Sequence, residues 1–331
     1  MRRILISLLA LLCMASCGRR RNAPAQEAAA DSRPRVFLHA IAPSSLPPDE
    51  RRDYLRVHYW DRFDFTDTLF TVRADTLQMV EAYARYIALI SDRPTDGSPI
   101  DSLMRRASSS RKMLDYFSML AEQVLHDPNS PLRNDEFYIP VLQAQLRSPW
   151  YDEYERIAPP YDLEMAMQNR LGHQANDFRY TLASGASGNL YGLHAEHVLL
   201  FINNTGCPLC REIREAITSS PMLSEMIERG RLKVLAIYPD EDLTEWRDYR
   251  DHIPASWITA YDKGCVIREK SLYDLHAIPA MYLLDRRKRV PVKDQHDVEQ
   301  IAEVIDRHAC EPTSRGRGES MRHLFGSVPR L

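Results

Sequence analysis

The sequence predicts an α/β domain over residues 171–311, with a mixed, partly parallel central sheet flanked by helices, preceded by a mainly α-helical domain over residues 36–170. Three observations carry this. From Leu171 onward, apolar runs of strand length alternate with amphipathic stretches of helix length. Before that point, apolar residues recur at helical spacing. Finally, in "NNTGCPLCREI" two cysteines separated by two residues stand where an apolar run gives way to a helical one.

With 331 residues the chain can bury two cores, and its net charge of −3 comes without a long basic face, which argues against a general nucleic-acid binder. At the start, Arg2 and Arg3 precede "ILISLLALLCMA", an apolar run too short to span a bilayer comfortably, and then "MASC". The small residues Ala15 and Ser16 before Cys17 resemble a bacterial lipoprotein signal over residues 1–17. That resemblance implies a lipid on Cys17, a mature N-terminus there and attachment to a membrane. The alternative is an ordinary secretory signal with Cys17 incidental. Both send the protein out of the cytoplasm; the lipid anchor implies the cell envelope, and "GRRR" lacks the acidic residues some surface-exported lipoproteins carry, so a periplasm-facing location is expected. Residues 18–35, polar and without an apolar face, read as a flexible tether.

In the helical domain, Leu77, Val80, Ala84 and Ile87 of "DTLQMVEAYARYIALI" share one helical face, with Asp75 placed as a cap. Met113, Leu114, Phe117, Leu120, Ala121 and Val124 form a second such face, with N-cap candidates at Ser108 to Ser110. Pro128, Pro131, Pro140, Pro149, Pro159 and Pro160 punctuate shorter helices. The aromatic stripe "HYWDRFDF" reads as core packing at a helix corner rather than a ligand box.

Past Leu171, "ANDFRYTLASGASGNLYGL" alternates around a Gly/Ser-rich centre and predicts a hairpin. Then follow a strand ("HVLLFIN"), the dithiol, two helices ("REIREAITSS" and "MLSEMIERG") and a strand ("LKVLAIYP"). A connection carrying "EWRDYRDH" leads to a strand ("WITAYD"), a helix ("REKSLYDLH") and the strand "AMYLLD". The turn "RRKR", a short strand "VPVKD" and the helix "VEQIAEVIDRHA" complete the domain, and residues 312–331 read as a disordered tail.

Between a strand and a helix, Cys207 sits where unpaired N–H groups and the helix dipole favour a thiolate. Cys210, almost one turn on, can close a small disulfide ring with it. Pro208 is tolerated in the first turn because its missing N–H would be unpaired there anyway. In "AIPAMYLLD", Pro279 before an apolar strand stands where a cis proline would face the dithiol and leave the Ile278 backbone free for an extended substrate. Cys207 and Cys210 are therefore the candidate catalytic pair. Gly206, Pro208 and Leu209 are their neighbours, and Ile278 and Pro279 form the candidate substrate-binding wall.

Together these features resemble the thioredoxin superfamily, in the membrane-tethered extracytoplasmic branch related to TlpA and ResA, over about Leu171 to Cys310. The resemblance implies a thioredoxin-like fold and thiol-disulfide exchange on protein thiols or disulfides. It also implies a redox partner protein and no organic cofactor. "HYWDRFDFTDT" and "NDEFYIPVL" resemble an uncharacterised helical domain found ahead of such domains in Gram-negative lipoproteins. Two positions depart from the pattern: Gly206 replaces the usual aromatic before the first cysteine, and Phe201 stands where cytoplasmic thioredoxins keep a buried acid. Glu212, Glu215 and Glu196 are then the candidate proton acceptors for Cys210.

Rival readings exist. A zinc site would have to recruit Cys265, His276 or His308, none of which lies in a second tight pair, so no metal is expected. Cys265 and Cys310 are expected to be structural or inert, lying in no reactive motif. The alternative function is a cell-envelope binding or scaffold protein with a degenerate thioredoxin-like domain.

Overall fold

A computed structural model of the chain describes residues 35–91 and 97–310. Cys17, the leader, nearly all of the tether and the tail lie outside those residues, and no helix among the described residues is long and apolar enough to cross a membrane.

The N-terminal part is built from α1 (Pro48–His58), α2 (Phe70–Arg73), α3 (Thr76–Ser91), α4 (Ser98–Ala107), α5 (Arg111–Ala121), α6 (Asp135–Arg147) and α7 (Ala158–Met167). Asp75 caps α3, accepting the Gln78 N–H at 3.1 Å, and Ser110 caps α5 by accepting the Met113 N–H. The expected α5 face is buried throughout, from Met113 to Val124. The expected α3 face is not: Leu77 is 68% exposed, and the buried stripe runs through Met79, Tyr83, Tyr86, Ile87 and Ile90. Two tyrosines, amphipathic and uninformative about which way they face, belong to that stripe and rotate it. The aromatic stripe is core at a corner after α1, with Trp60 and Phe63 each packed edge-on against Phe117 at 5.3 and 5.2 Å. Pro140 lies inside α6 rather than breaking it. Gly97, at φ 76°, packs closely there: a Cβ at that position would fall 2.7 Å from the Glu136 carbonyl oxygen.

The C-terminal part contains β1 (Arg179–Leu182), β2 (Ser187–Asn189), β3 (His197–Ile202), α8 (Pro208–Ser219), α9 (Pro221–Glu228) and β4 (Leu232–Tyr238). α10 (Leu243–Tyr249), β5 (Ile258–Tyr261), α11 (Val266–Glu269), β6 (Ala280–Asp285), β7 (Val292–Lys293) and α12 (Val298–Cys310) follow. The strands form one mixed sheet in the order β2-β1-β5-β4-β3-β6-β7. β3, β4 and β5 are parallel, and the remaining pairs are antiparallel. All six residues of β3 are buried, so it reads as a continuous apolar run. Leu199 and Phe201 pack under α8, α9 and α12, while Val198, Leu200 and Ile202 face the opposite core with Tyr273 and Tyr282. "EWRDYRDH" folds mostly into α10, capped by Asp242 accepting N–H groups of Thr244 and Glu245. "REKSLYDLH" is not the expected helix: α11 stops at Glu269, and Ser271 takes φ 49°. Tertiary bonds outweigh helix propensity in this segment. The Leu272 carbonyl accepts from Asn169 (2.7 Å) and Asn176 (2.9 Å), and the buried Tyr273 hydroxyl donates to the Asn176 carbonyl at 2.7 Å.

The two parts meet along an ionic seam. Arg133, before α6, reaches Asp274 at 3.3 Å and Asp294 at 2.6 Å. Lys293 on β7 pairs with Asp135 at 2.7 Å and donates to the carbonyls of Ala166 and Gln168, which end α7. A cation there complements the orphan carbonyls and negative end of that helix.

Candidate active site at the Cys207–Cys210 dithiol

β3, an interior strand, delivers the chain to one end of the sheet, and the next residues are tied down individually. The Asn203 N–H donates to the Ile237 carbonyl at 3.0 Å, Asn204 donates to Asp240 at 2.6 Å, and the Thr205 hydroxyl donates to Glu245 at 2.6 Å. Gly206 turns the loop at φ 67°, a left-handed conformation that L side chains adopt only at a cost, and nothing lies within 4 Å of where a Cβ would sit. The usual aromatic is therefore disfavoured by backbone conformation and not by crowding.

Cys207 is the N-cap of α8, its Sγ accepting the Cys210 N–H at 3.1 Å. Pro208 occupies the first helical position. Cys207 and Cys210 are disulfide-bonded with Cα atoms 5.3 Å apart. They differ in access: Cys207 is half-buried, whereas Cys210 is fully buried beside Ile213 and Ile217 on the inner face of α8. Between them Leu209 is exposed.

The antiparallel register of β3 and β6 pairs Ile202 with Ala280, which brings Ile278 and Pro279 to the same end of the sheet as the loop before α8. The Ile278–Pro279 peptide bond is cis, and the Ile278 carbonyl oxygen lies 3.8 Å from Cys207 Sγ. The structure thus gathers Cys207, Cys210, Ile278 and Pro279 in one place. Behind Pro279, the His296 Nε2–H donates to the Pro279 carbonyl at 2.7 Å, and burial pushes that imidazole below its ordinary pKa, partly opposed by this bond.

Among the described residues no acid joins the dithiol from within the core. Phe201 is fully buried and meets Trp257 edge-on at 6.0 Å, in the cluster that holds Cys210. Glu212 and Glu215 lie on the exposed side of α8, and Glu196 is exposed and paired with Arg231 at 2.8 Å. None of the three shares the buried surroundings of Cys210. Cys265 is buried and unbonded, and burial pushes its thiol up; of Cys310 only the helical backbone is described.

Two clefts adjoin the dithiol. One, of about 370 Å³, is lined by Leu209, His296 and Gln300 on one side and by Asn129, Ser130 and Arg133 of the helical part on the other. The second, of about 240 Å³, touches Cys207 itself and is walled by Arg211, Arg214, Tyr249 and His252. Apart from Cys207 and Leu209, sequence reasoning missed these residues. Arg211 and Arg214 stand four positions after Cys207 and Cys210, a spacing that places each pair on one helix face and could have found them. Tyr249, His252 and His296 arrive from distant segments, and no local pattern marks them.

Residues 16–169 match the family described as Domain of unknown function (DUF5106). No curated protein matches the chain. Among solved structures, a thioredoxin-like protein from Bacteroides caccae ATCC 43185 is 41% identical, with a TM-score of 0.77, over 83% of this chain and 99% of that one. The C-terminal domain of an uncharacterized protein from Bacteroides fragilis NCTC 9343 is 46% identical over 42% of this chain and 98% of its own, with a TM-score of 0.41. A conserved Bacteroides fragilis protein of unknown function is 38% identical over 41% of this chain and 98% of its own, with a TM-score of 0.40. The first of these spans the helical part and the sheet alike, and its whole length is accounted for in this sequence. By that likeness the chain belongs to the thioredoxin-like proteins, with the DUF5106 region as its N-terminal part.

Proposed function

We propose that this protein is a thiol-disulfide oxidoreductase of the cell envelope, anchored through a lipid on Cys17 and facing the periplasm. The observation that carries the chemistry is the asymmetry of the pair: a half-exposed Cys207 capping a helix N-terminus, bonded to a fully buried Cys210. Attack by a substrate thiolate on Cys207 Sγ breaks the Cys207–Cys210 bond and expels Cys210 as a thiolate, which takes up a proton. The mixed disulfide at Cys207 is then attacked at the substrate sulfur by the substrate's second thiolate. Cys207 departs as a thiolate stabilised by the first-turn N–H groups, and two electrons have moved from the substrate dithiol to the protein. The same steps in reverse reduce a substrate disulfide, and a redox partner protein restores the starting state.

The reading supports a division of labour in which Cys207 meets substrate and Cys210 resolves, while the Ile278 backbone lines the groove. Replacing the resolving thiol tests it. A Cys210→Ala variant is expected to accumulate covalent complexes with cell-envelope proteins that dithiothreitol releases, while Cys207→Ala accumulates none. Equal trapping by both variants contradicts the assignment.

A further inference from the structure

The cleft beside Cys207 has a chemical character of its own. Its polar walls are Arg211 and Arg214 from α8 and Tyr249 and His252 from the α10 segment, and no carboxylate lines it. Arg214 donates to the Tyr249 hydroxyl at 3.0 Å, with its guanidinium 5.8 Å from that ring's centre, which holds the cation over the cleft. Arg211 is exposed. Among the described residues neither guanidinium is paired with a carboxylate, whereas Arg229 pairs with Glu225 and Arg231 with Glu196. Glu245, whose carboxylate accepts from the Thr205 hydroxyl, is not among the residues that line the cleft. Two planar cations without an ion pair, a hydroxyl and an imidazole thus line the approach to the sulfur.

We infer that this cleft selects protein substrates whose reactive cysteine is flanked by acidic residues. Arg211 and Arg214 take the substrate carboxylates while the substrate sulfur reaches Cys207. Guanidinium groups suit this task because their fixed fork of donors matches a carboxylate. A cationic mouth also raises the encounter rate with an acidic segment, an effect that salt suppresses. The inference rests on the exchange chemistry proposed above and adds to it a substrate class.

The test compares two dithiol peptides that differ only in flanking residues, three glutamates against three glutamines, each reacting with the oxidised full chain. Each reaction closes one disulfide in the peptide and opens Cys207–Cys210, so electrons balance. The glutamate peptide is expected to react about tenfold faster at low ionic strength, with the advantage shrinking toward unity in 0.5 M salt, roughly the scale of electrostatic steering. The readout is the ratio of the two peptides on one protein, so any change in intrinsic thiol reactivity cancels. Arg211→Gln with Arg214→Gln brings the ratio near one, and Arg211→Glu with Arg214→Glu inverts it. Equal rates on the parent protein, or a ratio unchanged in both variants, overturn the inference. Dithiothreitol, which is uncharged, separates the levels: if it opens the disulfide while the ratio stays at one, the acidic preference alone fails. If neither dithiothreitol nor peptide reacts, the exchange chemistry and the inference fall together.

Discussion

At Cys207 and Cys210, three residues apart, one backbone turn produces two chemically different sulfurs. The first caps a helix and is reachable; the second points into an apolar wall. The cysteine spacing and the proline between them made this arrangement legible in the sequence, because both are local consequences of helix geometry. How the residue at the missing acid's position packs was not legible. Phe201 looked like an absence, yet it is a fully buried ring packed on Trp257. Phe201→Ala is therefore expected to destabilise the fold by about 3–5 kcal/mol, the usual range for opening a cavity of that size. Chemical denaturation monitored by circular dichroism reads this directly, and a loss under 1 kcal/mol means the ring is not packing the core.

Among elements, strands proved easier to read than helix faces. β3, β4 and β6 are apolar runs of strand length bounded by polar turns, and each stands where expected. The hairpin β1–β2 was marked by its Gly/Ser centre. Two helical readings failed for physical reasons. In α3 the apolar count at spacing four chose Leu77, while the buried stripe runs one step round through Met79 and Tyr83. Met79→Ala should cost about 2–5 kcal/mol whereas Leu77→Ala stays within about 0.5 kcal/mol, since only the former empties a core site. Thermal melts of the two variants decide between the faces, and equal shifts would contradict the burial pattern. After α11, helix propensity lost to hydrogen bonds from Asn169 and Asn176, residues about a hundred positions away that no local window contains.

On the scale of the whole molecule, the helical part and the sheet are joined through buried charge. The Asp294 side chain is 6% exposed and faces Arg133, Asp274, Asp135 and Lys293. Burial pushes its carboxyl up to about 7 from 3.8, with Arg133 opposing and the two aspartates adding to the rise. A carboxyl whose folded pKa is raised binds its proton more tightly when folded, so its stabilising contribution is complete below 3.8 and is lost as pH rises through about 7. Relative to Asp294→Asn, the parent is expected to lose stability across that window and then hold level. Urea titrations from pH 4 to 8 measure the difference, and a flat difference contradicts the burial of that carboxyl. The seam leads toward the site as well, since Gln295 and His296 follow Asp294 and His296 holds the Pro279 carbonyl. None of this was readable beforehand, because the partners of Arg133 are 141 or more positions away in sequence. One measurement tests the central claim most directly. The oxidised full chain is mixed with a single-cysteine peptide, and the adducts are located by mass spectrometry over time. The account predicts an early mixed disulfide on Cys207, none on the buried Cys265, and no adduct at either position in Cys207→Ser. An early adduct on Cys210 instead of Cys207 would contradict it.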